Sequence, residues 1–321
     1  MRFVAGVVLQ ILLLGAAGAS VQAQSAFLGE TFPYRAFDTL PTTPMHVGGA
    51  TLNVGFAPGT FALPRSALMD WLETSAKAVS IYYGKFPVGA VRILIVPVPG
   101  DDVQGGASWG YRGSAIRLLV GSDATAAELR DDWKAVHEMT HLALPDVHPP
   151  HLWLAEGLAT YVEPIARVEA GDLTAEQIWG DMLRDMKKGL PAPGDQGLDG
   201  TDSWGRTYWG GAMFCLLADI EIRKQTGNRV GLQQAQRGIL AAGGNLEQDW
   251  PVPRIFSIGD QATGTHVLAD LYAKMGDTPY APDLGALWRD LGVSAQNGRV
   301  SFDDTAPLAP IRRAITAAPA S

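Results

Sequence analysis

Cysteine is nearly absent from this chain: Cys215 is alone among 321 residues, so no internal disulfide can form. It lies in the apolar run 212–217 and reads as a small buried hydrophobe. Positive charge is also scarce. Lys and Arg total 25 against 33 Asp and Glu, for a formal net charge of −8, and the basic residues do not cluster. That balance argues against nucleic acid or an anionic membrane surface as a partner. Long hydrophobic runs and internal repeats are missing too. The one apolar stretch of note, residues 3–14, is too short for a stable membrane span. It follows Arg2 and precedes small residues ending Val21-Gln22-Ala23, the layout of a secretory signal over 1–23. No Cys near that point could carry a lipid anchor, so the expectation is a secreted or periplasmic chain starting near Gln24, without a stable membrane anchor.

What the chain does have is His137-Glu138-Met139-Thr140-His141, an H-E-x-x-H motif. Residues four apart on a helix share a face, so His137 and His141 can turn two imidazoles toward one zinc ion. Glu138 sits one position round the helix, placed to act as a base on water without ligating the metal. Leu129, Trp133, Val136 and Thr140 recur as one buried helical face, Ser122 or Asp123 can cap it, and Pro145 ends it. A catalytic zinc takes three protein ligands and keeps one position open. Glu156, in Leu152-Trp153-Leu154-Ala155-Glu156-Gly157-Leu158, is the third candidate. A Pro-rich turn over 145–150 would fold a second helix back beside the first. A carboxylate in so apolar a stretch is costly unless it meets a cation. His148 and His151 are weighed and set aside: H-E-x-x-H-x-x-G-x-x-H needs Gly at 144 and His at 147, and the chain has Leu144 and Val147.

The surrounding pattern places strands early and helices late. Strands are expected over 51–56, 91–98 and 115–120, with a helix over 64–83 and a Gly-rich loop over 105–113. Residues 24–45 read as irregular. After residue 124 come the two motif helices, then helices over 174–190, 207–226, 232–241, 266–275, 283–291 and 311–317, and a loop over 191–204. The fold class is therefore α+β. The domain reading is a signal over 1–23, a sheet subdomain over 24–123, and a helical subdomain over 124–321 that carries the zinc site at the junction.

HEMTH followed by WLAEGLATYVE resembles the gluzincin metallopeptidases, in particular the aminopeptidase N and glycyl aminopeptidase branches. The likeness covers about residues 90–315. It implies one zinc per chain, held by His137, His141 and Glu156, with Glu138 as general base and a peptide or protein as substrate. In those families a helix opening with Y-x-K-G supplies a Tyr that hydrogen-bonds the transition state. Tyr208 and Gly211 match that pattern, and Gly210 stands where the Lys would be. The tail Thr278-Pro279-Tyr280 with residues 284–292 is similar to the end of a glycyl aminopeptidase catalytic domain. The resemblance also makes the strand at Ala115 the edge along which an extended peptide pairs. The departures are as clear. Aminopeptidase N enzymes carry G-x-M-E-N, whose Glu holds the substrate amine; the corresponding 105–110 has no acid. The resemblance thus points to an exported zinc peptidase without choosing between endopeptidase and aminopeptidase. The alternative is a zinc-bound scaffold of the same fold that has lost turnover, against which the intact Glu138 argues.

Overall fold

Two Gly residues at positive φ, Gly48 and Gly49, turn the chain between its first two strands, as a two-residue hairpin with right-handed strand twist requires. The computed structural model describes residue 34 and residues 36–318; the signal reading over 1–23 lies outside the described residues. A short helix α1 (Ala36–Thr39) leads into β1 (Thr42–Val47) and β2 (Ala50–Phe56). Helix α2 (Arg65–Tyr83) follows, closed by Gly84 at φ 79°. Strands β3 (Ala90–Val98), β4 (Val103–Trp109) and β5 (Ala115–Gly121) complete a five-stranded sheet of order β1-β2-β3-β5-β4. The strands β2, β3 and β5 run parallel, and β1 and β4 are antiparallel edges. Strands β3 and β5 are apolar over most of their length because both faces are covered, with Arg92 and Arg117 as the exceptions. Along β3, Ile93 and Ile95 join the main core, while Leu94, Val96 and Val98 point to a smaller cluster with Tyr34 and Trp109.

The helical part comprises α3 (Ala126–Asp131), α4 (Lys134–His141), α5 (Leu152–Glu169) and α6 (Ala175–Asp185). A 3₁₀ turn (Met186–Gly189) and a π-helical turn (Gly205–Gly210) then lead to α7 (Gly211–Gln225), α8 (Leu232–Ala241), α9 (Val252–Thr263), α10 (Val267–Met275) and α11 (Leu284–Leu291). A hairpin of β6 (Val293–Gln296) and β7 (Arg299–Phe302) and a last helix α12 (Ala309–Ile315) follow. One cluster of buried apolar side chains runs from Met45 to Ile315, so sheet and helices share a core. The architecture is α+β.

Several expectations are corrected. Residues 42–45, expected to be irregular, belong to strand β1. The Gly-rich 105–113 is largely strand: β4 takes its first half and is the sheet edge, so the Ala115 strand is interior, hydrogen-bonded on both sides. Glycine lowers strand propensity, but at Gly106 it is required. An added Cβ there would stand 2.7 Å from Glu138 Oε1. The expected single helix through the motif is broken at Asp132. Its Oδ2 accepts from Ala135 N at 3.0 Å and starts α4 afresh. Trp133 therefore turns to solvent rather than to the core. Thr125, with Glu128, caps α3 in place of Ser122 or Asp123. Helix α9 and the β6–β7 hairpin have no counterpart in the sequence reading.

Candidate metal centre

Helix α4 packs between the β4 edge and α5 and presents His137 and His141 one turn apart. Helix α5 returns Glu156 to them: its Oε2 lies 3.2 Å from His137 Nε2 and 3.6 Å from His141 Nε2. Tetrahedral zinc with bonds of about 2.0–2.1 Å needs donors roughly 3.3 Å apart, and the two distances bracket that value. The protonation states suit ligation as well, since ligands must bind deprotonated. Burial lowers the His141 pKa and favours the neutral ring. Burial works to raise Glu156, but His141, His137 and the Tyr208 hydroxyl outweigh it and hold the carboxyl at about 2. Nitrogen, nitrogen and carboxylate oxygen are a usual donor set for zinc, so the three residues fit the ion.

The Glu138 side chain is buried beside these ligands, against the edge strand. Ser108 Oγ, on β4, donates to Glu138 Oε2 at 2.6 Å and also lies 2.9 Å from the Glu138 carbonyl. Burial pushes Glu138 up to about 7, opposed by the neighbouring His141 and the Ser108 hydrogen bond. Ser108 was not singled out in the sequence. The only hint was a hydroxyl among small residues, Gly105-Gly106-Ala107-Ser108, ahead of the motif.

The π-helical turn places Tyr208 over the same centre; such turns concentrate at functional sites. Its ring stacks on His137, with centroids 6.4 Å apart and planes at 21°, and its hydroxyl is near enough to the Glu156 carboxylate for each to shift the other's pKa. Burial, then the charges of Glu156 and Glu138, raise the Tyr208 pKa, so the hydroxyl keeps its proton and is a donor. Arg206 secures the turn. Its Nη1 donates to Gly189 O at 2.6 Å. It also faces Asp195, with Nε 2.8 Å from Oδ2 but off the hydrogen-bond line, the bond itself running from Nη2 to Oδ1 at 3.4 Å. Gly210, where the resemblance expects Lys, packs against Leu198 and Arg206. Gly157 and Gly211 let α5 and α7 touch backbone to backbone: a Cβ on Gly157 would stand 2.7 Å from Ala212 N. His148 and His151 turn elsewhere, to Asp249 at 3.8 Å and Asp199 at 2.9 Å. The structure thus gathers His137, Glu138, His141, Glu156 and Tyr208 at one place and leaves the loop histidines out.

This arrangement, a mixed sheet whose edge covers an H-E-x-x-H helix answered by a Glu helix, is a gluzincin-like peptidase fold. Among solved structures it is similar to an aminopeptidase N family protein from Idiomarina loihiensis, with a TM-score of 0.60 and 15% identity. That match covers 80% of this chain and 50% of the other. An M1 zinc metallopeptidase from Deinococcus radiodurans aligns with a TM-score of 0.48 at 16% identity, over 75% of this chain and 52% of that one. The chain spans about half the length of these structures. No family model and no curated sequence matches it.

Proposed function

We propose that this chain is an exported zinc-dependent peptidase that hydrolyses peptide bonds in a peptide or protein substrate, with Glu138 as general base. The observation that carries the proposal is the buried, Ser108-held carboxylate of Glu138 beside a three-residue donor set. A purely structural zinc site prefers four protein ligands and has no use for such a base. One zinc, when bound by His137, His141 and Glu156, supplies acidification of water and polarisation of the scissile carbonyl. Glu138 takes the proton of the attacking water and passes it to the leaving amine. A carboxyl group can take a proton and give it back, so one residue can do both. Ser108 fixes the carboxylate against β4, and Gly106 leaves it the space. Tyr208 brings a protonated hydroxyl to the cleft as an oxyanion donor. Strand β4 is the edge strand of the sheet, the position at which an extended peptide adds a further strand.

The test is Glu138→Gln, which keeps shape but cannot act as a base. Elemental analysis should still find zinc, while hydrolysis of an unstructured protein collapses. Turnover at the parent rate would remove Glu138 from this role. Assaying amino-blocked beside free peptides separates endopeptidase from aminopeptidase action. Export rests on the pattern over 1–23: mass spectrometry of protein from its host should find a chain starting near Gln24, and an intact Met1 would contradict export.

A further inference from the structure

Beside the metal centre lies a cavity of about 550 Å³, within the range of ligand pockets, roughly 300–1,000 Å³. The rings of His137 and Tyr208 form part of its wall, so a group that fills it touches the centre. Trp133 and Trp204 also line it, and they are 45% and 59% exposed. Only Tyr111 shares that exposure among the large hydrophobic side chains of the described residues. Neither Trp is loose. Trp133 meets the His137 ring edge-on with centroids 5.2 Å apart, and Trp204 stacks on Tyr208 at 5.8 Å. Each ring also has a lysine ammonium near it, Lys134 5.0 Å from Trp133 and Lys188 5.6 Å from Trp204, yet both remain partly exposed, and exposed aromatic area beside a cavity marks a surface that gains by being covered. Deeper in, Ile178, Met182 and Met186 are buried and apolar.

The charged groups of the cavity neutralise one another. Arg184 lies 2.6 Å from both Asp181 and Asp185, Lys188 lies 2.8 Å from Asp185, and Arg167 lies 3.2 Å from Glu163. Asp131 is the acid left over, on the exposed rim, where a single charge is worth little. An incoming carboxylate meets no spare cation, and an incoming ammonium meets only that rim acid. Resting on the peptidase reading, we propose that this cavity receives the substrate side chain flanking the scissile bond and selects a large, uncharged apolar one, with aromatic residues foremost.

Peptides blocked at both ends and differing only at a central Phe, Leu, Ala, Lys or Glu test this twice. Calorimetry and tryptophan fluorescence read their binding to the zinc-loaded Glu138→Gln chain, and kcat/KM reads their hydrolysis by the parent chain. Phe and Leu should bind and react about 10-fold or more better than Ala, Lys or Glu. Trp204→Ala, a change at an exposed position, should narrow the Phe-to-Ala ratio several-fold in both readouts. Equal use of all five, or a preference for Lys or Glu, would overturn the assignment. If the binding order holds and neither these peptides nor their counterparts with a free amino terminus are hydrolysed, the pocket stands and the peptidase reading falls. Hydrolysis without that order does the reverse.

Discussion

Ser108 carries more of the proposed chemistry than its size suggests, because a hydrogen bond to a charged acceptor is worth about 1.5–3 kcal/mol. Ser108→Ala removes the donor that holds Glu138 and leaves the ligands untouched. The expected outcome is a kcat lower by about 10-fold or more with zinc content and KM little changed. Restoration by Thr, which keeps the hydroxyl, would tie the loss to that one bond; an unchanged rate in the Ala variant would end the assignment. Tyr208 is tested at the same scale. Tyr208→Phe keeps the ring on His137 and deletes the hydroxyl, so turnover should fall by about 10²-fold while substrate binding changes little. A normal rate with a lowered melting temperature would make Tyr208 a packing residue. His137, Glu138 and His141 were legible because H-E-x-x-H converts spacing directly into geometry, Glu156 because a carboxylate stands in an apolar helix, and Tyr208 only through the resemblance. Ser108 was not, since its partner lies 30 positions away and only the β4–α4 contact joins them.

At the scale of elements, the centre depends on how closely three segments approach. Helix α5 carries Glu156, and the π turn that carries Tyr208 runs into α7; the two helices meet at Gly157 and Gly211. Gly157→Ala forces a methyl into the α7 backbone, and overpacking of this kind costs about 1–3 kcal/mol. The variant should melt earlier and bind zinc more weakly, because Glu156 moves with its helix. Gly89→Ala is the matched control: nothing lies within 4 Å of an added Cβ there, and its stability should be unchanged. Full zinc affinity in Gly157→Ala would separate helix approach from ligand placement. The break at Asp132 has a similar logic. By restarting the helix, its side chain aims α4 at the centre and frees Trp133 for the cavity mouth. An apolar period running through residues 129–140 conceals such a break, because a helical spacing survives one capped interruption.

At the scale of the molecule, the sequence alone determined the α+β class, the order of early strands and late helices, and the placing of His137 and His141 on one helix face. These follow from local rules: periodicity of two or 3.6, proline stops, and ligands four apart on one helix. The burial of Cys215 was equally legible, since it stands in an apolar run. Only the tertiary structure decided which strand is the edge. Pairing is non-local, and β4 is a poor strand former by composition that is held by β5 on one side and packed against α4. The same holds for the strand over 42–47 and the β6–β7 hairpin, short segments given meaning by their partners. It holds for the cavity as well. Its wall draws on residues from 131 to 212, brought together only by packing, although the charges that cancel within it are helix neighbours at most four positions apart. Local sequence decides which atoms can ligate or transfer a proton; packing at long range decides what lies beside them, because that depends on contacts between residues far apart in the chain.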